Sequence, residues 1–274
     1  MKLWCQSFMD PGQQPQYFER LGRRLSSLVG PDRSITISGL SPPDLEIHRG
    51  GELRGPVIVV GNALAAEDRG YDAVVFGHFR DAELYEARSA VGVPVVGMGE
   101  SSMLYASTLG RHFGFVAFDE RFVPVHLEQV ERYGLSSRLA GVEVAPARAS
   151  DLAAAIAHNP SGALDPFWQA ADRLIQRGTG VIVPDGGLCA LLLTAGGAAP
   201  RCARPVVDPI AITVCFAEMA AALASSGSAP DRVRSVPLPS ARGQNELAQA
   251  ARRQGEPLVC SDVTGPLPSD TPEP

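Results

Sequence analysis

Apolar positions along this chain fall into two rhythms that alternate through roughly the first 225 residues. Short β-branched or aromatic runs, bounded by Gly, Pro or polar residues, read as strands over residues 2–7, 34–40, 73–77 and 93–97. A second set follows at 113–118, 141–146, 180–184 and, more weakly, 205–208. Between them, apolar residues recur at helical spacing, as at Leu21, Leu25 and Leu28. That spacing predicts helices over 16–28, 55–69 and 165–177. Strands alternating with helices predict an α/β protein built on parallel sheets. The two sets repeat one plan: a helix ends at Arg69-Gly70 and again at Arg177-Gly178, and each time a strand follows that closes on Gly or Pro. Two related α/β domains facing each other are expected. An Ala-rich helix over 210–225 is positioned to pack back on the first of them.

The remaining chain, 228–274, is rich in Pro, Ser and Gly, and its end from Thr264 to Pro274 is expected to be disordered. Among the 274 residues, 24 Lys and Arg face 30 Asp and Glu, a net charge of -6 without any basic run. That balance argues against nucleic acid, whose phosphates need a basic face. No apolar stretch has the length of a membrane span or a signal peptide, so a cytoplasmic location is expected and no membrane partner. The five cysteines are odd in number and far apart, which speaks against disulfides and a structural zinc site.

In open α/β sheets, ligands bind beyond the carboxyl ends of the strands, so chemistry is sought there. His78 follows the strand ending at Gly77, and an imidazole there suits a general acid or base. The turn Gly97-Met98-Gly99-Glu100-Ser101-Ser102 leads into a helix whose exposed N–H groups would favour an anion, although on sequence alone a plain helix cap is the better account. Asp185, Gly186 and Gly187 follow the strand 180–184; the glycines permit close approach to a ligand, and Asp185 is a candidate base. Gln6 and Ser7 end the first strand as donors to an anion. Cys189 opens an apolar stretch and reads as a buried structural thiol. His126 reads as opening a helix, where capping or exposure is a sufficient account. The glycines form neither GxGxxG nor a Walker loop, so no nucleotide is indicated, and neither metal nor cofactor is expected.

The segment from Tyr71 to Phe79 (YDAVVFGHF) together with Val93 to Glu100 (VPVVGMGE) resembles the first active-site segment of the aspartate/glutamate/hydantoin racemase superfamily, in its hydantoin racemase-like branch. Gly178 to Gly187 resembles the second, and Pro205-Val206-Val207-Asp208 resembles the family's approach to its last large helix. The resemblance covers most of residues 1–225. It implies two similar flavodoxin-like domains, each a parallel sheet flanked by helices: 1–107 with 209–227, and 108–208. The active site would lie in the cleft between them. Both family cysteines are replaced, by His78 and by Gly186, and the family's hydroxyl pair falls on Ala117 and Phe118. The resemblance thus implies a cofactor-independent isomerase or lyase acting through an enolate-like intermediate on a small carboxylate or carbonyl compound. His78 and Asp185 would be catalytic, and Gln6, Ser7, Gly77, Phe79, Glu100, Ser101, Ser102, His126, Gly186, Gly187 and Leu188 would contact substrate. Hydrolysis of a small amide, imide or lactone by His78 and Asp185, and ligand binding without chemistry, are the alternatives. The partner expected is a small-molecule substrate, with self-association left open.

Overall fold

The computed structural model describes residues 1–41, 55–158, 162–195, 201–227 and 257–264, with a few helical positions between 243 and 249. In the first half, β1 (Lys2–Gln6), β2 (Ser34–Gly39), β3 (Ala73–Phe76) and β4 (Val95–Gly97) pair in parallel in the order β4-β3-β1-β2. In the second half, β5 (Phe113–Ala117), β6 (Leu139–Val144) and β7 (Val181–Pro184) form a parallel sheet with β5 at its centre. Parallel sheets are covered on both faces, and β1 shows it residue by residue. Leu3 and Cys5 enter one core with Ile35, Ile37, Val75 and Val96, whereas Trp4 enters another with Val74, Phe76 and Val95. Period-two alternation with both faces apolar produces the unbroken hydrophobic runs seen in the sequence.

The helices are α1 (Pro15–Ser26), α2 (Gly55–Asp68), α3 (Leu84–Ala90), α4 (Met98–Leu109), α5 (Phe122–Arg132), α6 (Ala149–His158), α7 (Asp165–Gln176), α8 (Gly186–Ala195) and α9 (Pro209–Ser225). Helices α2 and α3 cover the Trp4 face of the first sheet. The other core continues from α1 through α4, α8 and α9 into the second sheet, so one apolar body joins both halves. Helix α9 lies against α4, β3 and β4, and also meets α8. Its start is fixed by Asp208, whose side chain accepts from the N–H groups of Ile210 and Ala211, with Pro209 in the first turn. Arg24 of α1 holds the same carboxylate at 2.5 Å.

Two departures from the sequence reading have clear causes. The weak strand at 205–208 reduces to one bridge between Ile182 and Val206, because Asp208 is needed as a helix cap. Conversely, the Pro/Ser-rich segment contains a strand, β8 (Leu258–Thr264), which pairs antiparallel with β2 and closes the edge of the first sheet. Thr264, expected to begin a disordered end, is its last residue, and 265–274 lie outside the described residues. Only Val263 of β8 is buried, and Asp262 accepts from the Thr36 hydroxyl; so exposed an edge strand has no strong apolar pattern to announce it. Among the described residues, no helix is long and apolar enough to cross a membrane.

Candidate active site

Residues 77–83, between β3 and α3, leave the first sheet and insert into the second half. Two non-glycine residues there, Asp81 and Glu83, have left-handed backbone, with φ of 51° and 63°. Strain of this kind persists only where surroundings hold it. The Asp81 carboxylate supplies that hold: it accepts from Gly99 N at 2.9 Å and Glu100 N at 2.6 Å, and so caps α4 from another part of the chain. It also accepts from the Tyr133 hydroxyl at 2.7 Å and Gln129 Nε2 at 3.2 Å, both reached from the second half. Burial nevertheless outweighs these donors and pushes Asp81 up to about 6. The contact requires glycine at 99, where a Cβ would lie 2.1 Å from Gln129 Nε2 and 2.2 Å from Phe79 O.

His126 is wholly buried in α5, which corrects the expectation of a helix-opening or exposed position. Its ring stacks on Phe115 at 5.2 Å and on Phe122 at 6.1 Å, and the edge of Phe79 closes the box at 5.6 Å. Nε2 lies 3.2 Å from Asp185 Oδ2, an ion-pair distance outside hydrogen-bond alignment. Nδ1 lies 3.4 Å from Gln129 Oε1. Burial pulls the imidazole down, but Asp185 and Gln129 outweigh it, and the ring is held above the ordinary histidine range.

The environment of His78 is the reverse. The half-buried ring tilts against Phe8 at 4.9 Å, and both of its nitrogens face donors. Arg80 N points at Nδ1 from 3.2 Å and Arg80 Nε at Nε2 from 3.3 Å. A neutral imidazole accepts one such bond, and a protonated one accepts neither. Burial, Arg80 and His126 together drive His78 well below its ordinary value. The Arg80 guanidinium also lies over the Phe122 ring at 5.9 Å, so the same loop carries a cation to the second half.

Asp185 follows β7 and Gly186 begins α8 with φ +86°, a backbone that suits glycine. A Cβ at 186 would lie 3.9 Å from the Cβ of Phe79, the residue after His78. Beside them Gly187, Gly77, Met98 and Tyr17 enclose a cavity of about 10 Å³, room for one water at most. The Tyr17 hydroxyl reaches within 3.6 Å of where a Gly187 Cβ would stand. Leu188 sits partly buried in the first turn of α8, and Cys189 is fully buried with its thiol pushed well up by burial and by Asp185.

Other sequence candidates have different work. The Gln6 amide donates to Ser7 O and Gly39 O and accepts from Asn62, all inside the first half. Ser7 Oγ accepts from Met9 N. Glu100 pairs with Arg88, and with Gly99 N and Glu100 N given to Asp81, the start of α4 does not offer these two N–H groups to a substrate anion. Ser101 donates to Gly97 O, while the Ser102 hydroxyl is buried without a hydrogen-bond partner. Ala117 and Phe118, at the family's hydroxyl pair, are buried apolar residues. Sequence reasoning missed Arg80, Tyr133 and Gln129; the signal for Gln129 was its place three residues after His126, on the same helix face.

The chain as a whole is similar to known proteins. The family model for Asp/Glu/hydantoin racemase matches residues 9–217. A hydantoin racemase of Rhizobium meliloti is 29% identical over 180 residues, 63% of this chain and 68% of that protein. Among solved structures, an allantoin racemase from Klebsiella pneumoniae superposes with a TM-score of 0.66 at 19% identity, covering 89% of this chain and 98% of that one. The allantoin racemase of Pseudomonas fluorescens gives 0.63 at 22% identity, with 88% and 98% covered. Its sequence match and its two facing parallel-sheet halves make this chain a member of the Asp/Glu/hydantoin racemase family.

Proposed function

We propose that this chain is a cofactor-independent isomerase, or a lyase using the same proton chemistry, acting on a small carboxylate or carbonyl compound. One observation carries the reading: the two imidazoles have opposite surroundings. His78 faces donors, which favour its neutral form, whereas His126 faces acceptors, which favour its protonated form. Two-base proton transfer needs one bare and one loaded group, and titratable groups whose environments push them apart mark the acid and the base. His78 removes the proton next to a carbonyl, leaving an enolate-like carbanion; His126 returns a proton from the other side. The Arg80 charge lies where it favours the developing anion. Exchange with solvent then restores both rings.

The Asp185–His126 pair also resembles a base for activating water, which is the observation favouring hydrolysis. A ring already carrying both protons cannot take one from water, so hydrolysis is the weaker reading. The test is a panel of chiral hydantoins, small dicarboxylates and cyclic imides incubated in D2O and followed by ¹H NMR. Deuterium entering the carbon acid supports isomerase chemistry, with loss of CO2 marking the lyase variant. Ring opening without exchange would favour hydrolysis, and binding without any exchange would overturn catalysis altogether.

A further inference from the structure

We infer that Gln129 is a positioning residue that keeps a proton on His126 Nδ1, by presenting its amide oxygen, and never its NH2, to that nitrogen. The inference rests on the proposed role of His126 as proton donor. An amide can turn over at little cost unless its neighbours choose for it. Here they do. Gln129 Nε2 meets Phe79 O at 2.7 Å and Asp81 Oδ2 at 3.2 Å. A carbonyl and a carboxylate only accept, so the NH2 must face them. The oxygen is then left facing His126 Nδ1 at 3.4 Å, and that nitrogen must carry a proton. On the other side, Asp185 Oδ2 stands 3.2 Å from Nε2 and calls for the second.

The remaining charged neighbours oppose this. Arg80, from the loop after β3, repels the charged ring, and His78 is coupled to it at longer range. Phe79, Phe115 and Phe122 surround the ring with apolar faces that also disfavour charge by excluding water. The proton load on His126 therefore depends on two acceptors, one charged and one neutral. Asp81 acts through the neutral one: placed by α4 and Tyr133, it fixes the amide that fixes the ring.

The test uses the full chain labelled with ¹⁵N in its five histidines, with His126→Asn serving only to assign the signals. In the wild type at pH 6, both nitrogens of His126 are expected at imidazolium shifts. In Gln129→Met, the proton affinity of His126 is expected to fall about tenfold, one unit of pKa. Asp81→Asn, which weakens one of the two constraints on the amide and leaves Phe79 O in place, should give a smaller fall in the same direction. Tyr133→Phe removes a partner of Asp81 and a bond to the amide as well, so it should lower the affinity less than Gln129→Met does, an ordering that a merely structural role would not give. An unchanged affinity in Gln129→Met overturns the inference, as does an unprotonated Nδ1 in the wild type, a measurement that needs no variant to fold. The wild type itself separates the two claims: if His126 carries a proton on Nδ1 but none on Nε2, the donor role fails while the Gln129 arrangement stands.

Discussion

Replacing Asp185 by Asn removes one charge from the site and preserves its shape. At 3.2 Å, two unit charges attract by roughly 5 kcal/mol at an effective dielectric of about 20. Much of that is spent against the burial of His126, whose side chain is fully enclosed while Asp185 is 11% exposed. What survives is the upward displacement of the imidazole. Without the carboxylate, burial and Arg80 are opposed only by Gln129, and His126 falls below its ordinary value of about 6.5. At pH 7.5 the variant then holds a neutral ring and lacks its proton donor. Exchange of the substrate's carbon-bound proton should slow by about 10²–10⁴-fold. Lowering the pH toward 5.5 should restore part of the rate by reloading the ring, whereas the wild type gains nothing comparable. The assay is deuterium incorporation across a pH series. Wild-type rates in Asp185→Asn at pH 7.5, or a loss that low pH does not relieve, would refute the electrostatic reasoning.

Three other expectations follow from the same contacts. His78→Ala should lower kcat by about 10²–10⁴-fold, while Cys189→Ala leaves kcat nearly intact and costs only some stability, because its buried thiol is held in the neutral form; loss of activity on Cys189→Ala alone would reverse the assignment. Asp81, raised to about 6 by burial, keeps a proton in the native state that the unfolded chain gives up near pH 4, so its contribution to stability falls as pH rises through that window. Wild type should accordingly lose up to about 3 kcal/mol relative to Asp81→Asn between pH 4 and 7 in urea unfolding, and a gap moving the other way would show that its four donors prevail. Gly186→Ala meets only Phe79 at 3.9 Å, so its cost is backbone strain at φ +86°, about 1–2 kcal/mol by thermal unfolding, and no loss would mean that the turn relaxes.

The architecture was legible because parallel strands buried on both faces write themselves as apolar runs, as in β3 and β5 and the Leu3–Cys5 centre of β1. The α/β layering then followed from the alternation with helices. The edge strand β8 was not legible, since a strand with one buried side chain leaves no pattern against a Pro- and Ser-rich background. The site divides in the same way. His78 and Asp185 were candidates because they stand at strand ends. The contact of His126 is with a residue distant in sequence, and nothing around Val125-His126-Leu127 announces Asp185. The helix-start reading of Glu100 and its neighbours missed the competing anion, because the carboxylate that caps α4 comes from Asp81, in a loop that precedes it.

On the proposed mechanism, an imidazole pair would solve the problem of a thiol pair differently. Two cysteines start chemically alike, and their proton can sit on either, so a symmetric site treats both faces of a carbon acid alike. Here the asymmetry is built into the surroundings before any substrate arrives. Arg80 sets its N–H donors against His78, and Asp185 with Gln129 sets acceptors against His126. Each opposes the microstate that the reverse reaction would need, namely a protonated His78 and a bare His126. A substrate entering in either configuration would therefore meet its base on one face far more readily than on the other. Such a site favours exchange of one enantiomer's proton, or a one-way protonation after bond cleavage, over balanced racemisation. Comparing the initial exchange rates of the two enantiomers in D2O tests this: equal rates would show that the rings swap protons freely, and that the donors and acceptors around them do not hold the asymmetry.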